Sequence, residues 1–308
     1  MQSKLAIAIP TYNRAEMMES NLLLMIDELV QFNIPVYISD DSTNSDTEHL
    51  INKLKSKHSL FHYKKNEVRL GHDLNCLHTI WLPKEQYVWY LGDSMIINKG
   101  ALEKILKILE KEDHDFICCN AVGRNLDIAT SLFTDRNEIL ENLCWHLTLT
   151  GSTIYNKEKL IDLSNIDLLK FKNFPQTAIL FEHFARKNAE LFWINERLIY
   201  NNPNKNSYWV SKVFDVFIND LKSFIHNLSS KYPTKSKDYA ILQHSVKTGI
   251  FNYSSFIRYR INGFYDCNVY NKYKRDFVNY TDANLVILFL IGLFPIRVLK
   301  GAFNLFKK

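Results

Sequence analysis

The sequence predicts an α/β domain, with a mostly parallel central sheet flanked by helices and a helical C-terminal extension. Three observations carry that expectation. Short apolar segments recur through the first 120 residues, each too short for a helix and stopped by Pro, Asp or Gly. Between them run longer segments with apolar residues at helical spacing. With 308 residues, 46% of them hydrophobic, the chain can build one large domain or a domain with an extension, and it is too apolar to be disordered.

The elements follow in order. Residues 5–9 are all apolar and end at Pro10, which reads as a first buried strand. Residues 15–31 place Leu22, Met25, Ile26 and Leu29 on one helical face. Residues 36–39 are a second strand that runs into Asp40-Asp41-Ser42-Thr43. Ser45 stands where it would cap the next helix, with Glu48 completing a capping box. Residues 61–64 form a third strand, 74–81 a short helix and 87–91 (YVWYL) a fourth strand. A helix over 99–109 and a strand over 115–119 continue the alternation. Continuous apolar strands are buried on both faces, which is the habit of parallel sheets. Ligands of such sheets bind beyond the carboxyl ends of the strands. After Gly123 the pattern loosens into a helix over 136–146, a strand over 152–155, a helix over 179–188 and a strand over 191–194. The NNPNKNSYW stretch from Asn201 marks the expected boundary between an α/β domain over 1–200 and a helical region over 201–308.

Several function classes are excluded or narrowed. Five cysteines contain no CxxC, so a zinc site is not expected. His72, His78 and His183 are scattered and read as structural or surface groups. The N-terminus lacks the long apolar stretch of a secretory signal, so a cytoplasmic chain is expected. The longest apolar run, residues 285–294, is half the roughly 20 residues that span a bilayer. The net charge of +5 is concentrated: from Arg258 to Lys308 there are nine Lys+Arg and three Asp+Glu. A near-neutral body with a basic tail argues against nucleic acid as partner and for an anionic membrane surface. From Pro295 onward, Ile296, Leu299, Phe303 and Phe306 share one helical face. Arg297, Lys300, Asn304, Lys307 and Lys308 share the other. Residues 283–308 are therefore expected to hold the protein on the inner face of the cell membrane as a peripheral protein.

Three strand-end loops carry the chemistry: Ile9 to Arg14 (IPTYNR), Ser39 to Thr43 (SDDST) and Leu91 to Ser94 (LGDS). In a parallel sheet they open onto one edge. Together they offer a flat ring, carboxylates for base or ribose groups, and an acid where a diphosphate-bound metal would sit. That combination suits a nucleoside diphosphate.

The order and spacing of IAIPTYNR, ISDDSTNSDT, RLGHDLN and YVWYLGDS resemble those of family 2 glycosyltransferases with the GT-A fold. The resemblance is strong from about residue 5 to 100 and weaker to about 200. It implies an inverting enzyme that moves a sugar from a nucleotide-sugar donor, a UDP-sugar foremost, to a hydroxyl of a growing cell-surface glycan, and a lipid-linked acceptor would account for the basic, apolar tail. It also implies residue roles. Pro10, Tyr12 and Arg14 would line the nucleotide pocket, Asp40 or Asp41 would contact uracil and ribose, and Gly71 and Asn75 would shape the wall near the diphosphate. The turn at Gly92 occupies the place of the DxD motif. Where relatives carry two or three acids, this chain has Asp93 followed by Ser94 and Met95. Asp93 is then the expected ligand of a divalent metal, Mg2+ or Mn2+, that assists the departing diphosphate. The usual position of the general base falls near Ile179 and Leu180, which are not acids; Glu182 is the nearest carboxylate and the expected base. Gln176 in the same segment could hold sugar hydroxyls. The depleted acids also fit a catalytically silent GT-A-like subunit or scaffold. A nucleotidyltransferase fits poorly, because TYNR lacks the Gly- and Lys-rich N-terminal loop of that class.

Overall fold

The computed structural model describes residues 3–300, apart from 125, 206, 208 and 298. Its first half alternates as the apolar pattern requires. β1 (Leu5–Thr11), β2 (Val36–Asp40), β3 (Phe61–Lys65) and β4 (Tyr87–Tyr90) are separated by α1 (Ala15–Gln31), α2 (Asp46–Leu54) and α3 (Gly71–Trp81). β5 (Met95–Ile97), α4 (Ala101–Lys111), β6 (Phe116–Ala121), β7 (Ser131–Phe133), α5 (Arg136–Asn142), α6 (Cys144–Leu147) and β8 (Thr153–Asn156) follow. α7 (Pro175–Arg186) and β9 (Leu191–Asn201) complete the sheet region. The remainder holds α8 (Leu221–Asn227), α9 (Thr234–Thr248), α10 (Tyr253–Ile261), α11 (Cys267–Tyr280) and α12 (Leu285–Leu293).

The strands form one sheet in the order β3-β2-β1-β4-β8-β6-β9-β5, with β7 also on β9. β1 runs parallel to β2 and β4, and β2 parallel to β3. Beyond β4 the sheet is mixed. β8 lies antiparallel between β4 and β6, which restores the direction of β6 to that of β4. β9 is parallel to β6, and β5 and β7 flank it antiparallel. The carboxyl ends of β1, β2, β4, β6 and β9 therefore all open on one edge.

Burial on both faces explains the apolar strands. Leu5, Ile7, Ile9, Ile117 and Cys119 pack with Leu22, Ile51 and Ile105 of α1, α2 and α4. Phe116 and Cys118 pack on the opposite face with α3, α5, α6 and α7. That second core continues without interruption into the C-terminal helices, as far as Ile291. Within it, the Phe214 ring has Phe251, Phe256, Tyr259, Tyr265, Tyr273 and Phe277 around it at centroid distances of 5.6 to 6.1 Å.

Some local expectations change. Ser45 precedes α2, but its side chain makes no capping hydrogen bond. Its φ of −107° and ψ of 11° lie outside the extended region from which an N-cap hydroxyl reaches the next turn. The helix expected over 136–146 breaks at Leu143 into α5 and α6. α7 starts four residues earlier than expected, at Pro175, whose fixed φ suits a first helical position. β9 extends to Asn201, seven residues beyond the apolar run. α12 buries Leu288 and sets the Gly292 backbone against Asp266 and Cys267, where an added Cβ would meet backbone atoms at 3.2 Å. Its other face is open: Val286, Ile287, Phe289, Leu290 and Leu293, with Phe294 beyond, are 36–65% exposed. No helix among the described residues is long and apolar enough to cross a membrane. The outer part of the expected tail, including Phe303, Asn304, Phe306, Lys307 and Lys308, lies outside the described residues.

Candidate functional site

The β1 and β2 ends are stitched to each other. Asn13 has a positive φ of 51°, and its amide N–H donates to the Ser42 hydroxyl at 2.7 Å. Its side-chain oxygen accepts from the Thr43 N–H at 3.0 Å. Pro10, lacking an N–H, sits on β1 opposite Ser39. Tyr12 is 38% exposed, and the Arg69 guanidinium lies over its ring at 4.3 Å. This stacked pair is the flat, partly open surface the sequence suggested for a base.

Asp40 and Asp41 are both buried, and the chain uses both. Asp40 accepts from the Ser42 N–H at 2.9 Å and from the Tyr63 hydroxyl at 2.8 Å, with the Lys65 ammonium 3.5 Å away. Burial, with the hydrogen bond to Asp40, pushes the Tyr63 phenol well above its ordinary value. Asp41 takes the Leu70 N–H at 2.7 Å and the Gly71 N–H at 2.8 Å, satisfying two donors that the start of α3 leaves free. Gly71 has φ of +76° with nothing within 4 Å of an added Cβ, so its backbone conformation and not crowding requires glycine. Asn75 is buried beneath them and accepts from the Ser39 hydroxyl at 2.6 Å and the Asn66 amide at 3.0 Å. The expected wall residues thus meet in one hydrogen-bonded patch.

Asp93 is the centre of the other half. Its Oδ1 accepts from Arg14 at 3.2 Å and its Oδ2 from the Thr11 hydroxyl at 3.3 Å. Asn21 on α1 holds the Asp93 carbonyl at 2.8 Å. Burial raises the Asp93 carboxyl above its ordinary value, against the opposing pull of Arg14, Thr11 and Lys205. Gly92 is needed for space here, since a Cβ would lie 3.3 Å from Cγ2 of Thr150.

Two residues that the sequence did not single out adjoin this centre, Lys205 beside Asp93 and Arg124 beside Lys205. Lys205 follows β9, on a segment clamped to the Asp93 turn. The Asn202 N–H donates to the Ser94 carbonyl at 2.8 Å, and the Asn202 side chain donates to Asn21 at 2.7 Å. Burial lowers the Lys205 ammonium to about 8, with Arg124 and Arg14 adding to the shift and Asp93 opposing it. Arg124 follows β6 and donates to the Trp145 carbonyl at 2.7 Å and the Thr148 hydroxyl at 3.0 Å. Burial lowers its guanidinium to about 10. The expected boundary near residue 201 is therefore part of the site's wall.

Glu182 is placed elsewhere. It is 1% exposed, its Oε2 is ion-paired with Arg186, and its Oε1 accepts from the Ser229 N–H at 2.9 Å. A carboxylate so engaged ties α7 to the segment before α9. Protonation would remove the charge that holds Arg186. Gln176, at the start of α7, is also buried, with its carbonyl accepting from the Tyr155 hydroxyl at 3.0 Å.

The same geometry tests the metal. Asp93 already pairs with Arg14, and Lys205 and Arg124 add two further positive charges nearby. Among the described residues no group of three or more His, Cys, Asp or Glu side chains is arranged to hold a metal ion. A divalent cation would have to displace Arg14 from Asp93 and enter against a net excess of two unit charges of its own sign, so the residues present do not fit one.

A profile of the family described as Glycosyl transferase family 2 matches residues 6–165. Abequosyltransferase RfbV of Salmonella typhimurium is 31% identical over 229 residues, covering 66% of this chain and 68% of that protein. TarS 1-349 of S. aureus, solved in complex with UDP-GlcNAc, superposes with a TM-score of 0.58 at 14% identity, over 85% of this chain and 76% of that one. The mannosyltransferase PcManGT of Pyrobaculum calidifontis, in complex with GDP-Man and Mn2+, gives 0.56 at 13% identity, over 84% and 75%. At such identities the two structural likenesses are likenesses of fold.

Proposed function

From the premise that this chain belongs to glycosyl transferase family 2, has the GT-A fold and is a glycosyltransferase, we propose that it moves a sugar from a nucleotide-sugar donor, a UDP-sugar foremost, to a hydroxyl of a growing, lipid-linked glycan. The observation that carries this reading is the convergence on one sheet edge of the Tyr12–Arg69 stack, the Asp41-capped start of α3 and the Arg14–Asp93 pair. The stack offers a face for the base, and the cations beyond it offer charge for a diphosphate. Transfer is a single inverting displacement: the acceptor oxygen bonds to the anomeric carbon as the diphosphate leaves.

The acceptor end of the reading rests on α12. Its exposed apolar face, with exposed Arg258, Lys274, Arg275 and Arg297 in the same C-terminal region, suits the headgroup layer of an anionic membrane on its cytoplasmic side.

Screening a panel of nucleotide sugars for donor hydrolysis, with wild type and Asp93→Ala, tests the reaction. Hydrolysis of one uridine donor by wild type and its loss in Asp93→Ala are expected. Wild type that neither binds nor hydrolyses any nucleotide sugar would leave a catalytically silent subunit as the correct description.

A further inference from the structure

The site and the metal implied by its motif disagree in charge. Arg14 stands 3.2 Å from the Asp93 carboxylate, and Lys205 lies within electrostatic reach of Asp93, Arg14 and Arg124. Among the described residues neither Lys205 nor Arg124 forms an ion pair with a carboxylate. Lys205 donates to the Asn201 side-chain oxygen at 2.8 Å, and Arg124 donates to neutral oxygens of Trp145, His146 and Thr148. Three cations against one carboxylate leave two positive charges uncompensated where burial has removed much of the water. Such an excess is unfavourable until an anion arrives. A nucleotide sugar carries one negative charge on each of its two phosphates, which matches that excess.

We infer that Lys205, Arg124 and Arg14 bind the donor diphosphate directly and supply the charge neutralisation that a divalent metal would otherwise provide. This rests on the reading above that the edge holds a nucleotide sugar. Backbone topology makes it possible, because β1, β6 and β9 deliver the three cations to the edge where β4 delivers Asp93. In the transfer step the new bond joins the acceptor oxygen to the anomeric carbon. The bond from that carbon to the β-phosphate oxygen breaks, and its electron pair stays on the phosphate. The acceptor proton passes to solvent. The diphosphate goes from two negative charges to three, and the added charge develops beside cations already in place. Asp93 then acts as a positioning residue, holding Arg14 and moderating repulsion among the cations.

Calorimetry in EDTA with uridine, UDP and inorganic pyrophosphate tests this on wild type, Lys205→Gln and Lys205→Arg. UDP and pyrophosphate should bind wild type without metal. Lys205→Gln should weaken both by about tenfold or more, the worth of one charge-assisted contact, and leave uridine unchanged. Lys205→Arg should recover most of the loss. Binding of UDP and pyrophosphate only after Mg2+ or Mn2+ is added would overturn the inference, as would a Lys205→Gln protein that binds both as wild type does. Metal-free binding of pyrophosphate with no binding of uridine or UDP would uphold the cation site and sink the uridine donor.

Discussion

Asp41 and Lys205 show how differently two site residues are written in the sequence. Asp41 follows an apolar strand inside an acid pair, so its place at the edge is legible. Its work in capping Leu70 and Gly71 is not, because that needs a loop some thirty residues away. Lys205 and Arg124 carry no local signal at all, since Lys and Arg in polar loops are ordinary surface residues. Only the directions of β6 and β9 bring them to the sheet edge that also carries Asp93. Glu182 is the reverse case, an acid near the right place in the chain whose side chain points into the protein. Glu182→Gln should lower unfolding stability by about 1–2 kcal/mol, since it weakens the hold of a buried carboxylate on the exposed Arg186 and on a backbone N–H. Turnover per folded molecule should stay at the wild-type level. Denaturant titration beside active-site-normalised kinetics checks both parts, and a large loss of turnover at unchanged stability would identify Glu182 as the base.

Among the elements, the early strands and the first helix were the most legible. β1, β2, β3 and α1 fall within a residue or two of their expected bounds, because strand and helix periods leave little freedom there. β5 and β7 were missed: three residues at a sheet margin are too few to show a period. α12 was legible as an apolar run, but not as a helix with one buried and one open face. Its residues are apolar all round, so only packing against Asp266 and Cys267 decides which side is covered. The open side makes a testable surface. Val286→Glu with Leu293→Glu should abolish flotation with anionic vesicles while leaving the unfolding midpoint within a few degrees, because both side chains are more than half exposed. Equal flotation of the double variant and wild type would refute docking through α12.

At the scale of the whole molecule, the polar groups beneath the site set its response to acid. His146 and His244 are fully buried, and burial together with the Arg124 charge keeps both neutral. His146 is lowered to about 3 and His244 well below its ordinary value. Below about pH 6.5 the unfolded chain takes up protons on these residues that the folded chain refuses, so stability falls as pH falls. Each contributes about 1.4 kcal/mol per pH unit in that range. Thermal midpoints should stay nearly level from pH 7.5 to about 6.5 and decline from there to pH 5, and the decline should weaken in His244→Asn. A flat profile would remove the two histidines as the cause.

β9 also governs when this architecture can exist. It is the strand partner of β5 and β7, and it closes the side of β6 away from β8. Until residue 201 has been synthesised, β6 offers a bare row of amide and carbonyl groups, and β5 has no strand to join. A nascent chain at that stage displays an edge able to recruit other strands. Slowing of translation ahead of residue 201, or a stop just before it, should therefore favour aggregation over a soluble fragment. The same late strand delivers Lys205, so assembly of the fold and completion of its charged pocket become a single event in biosynthesis.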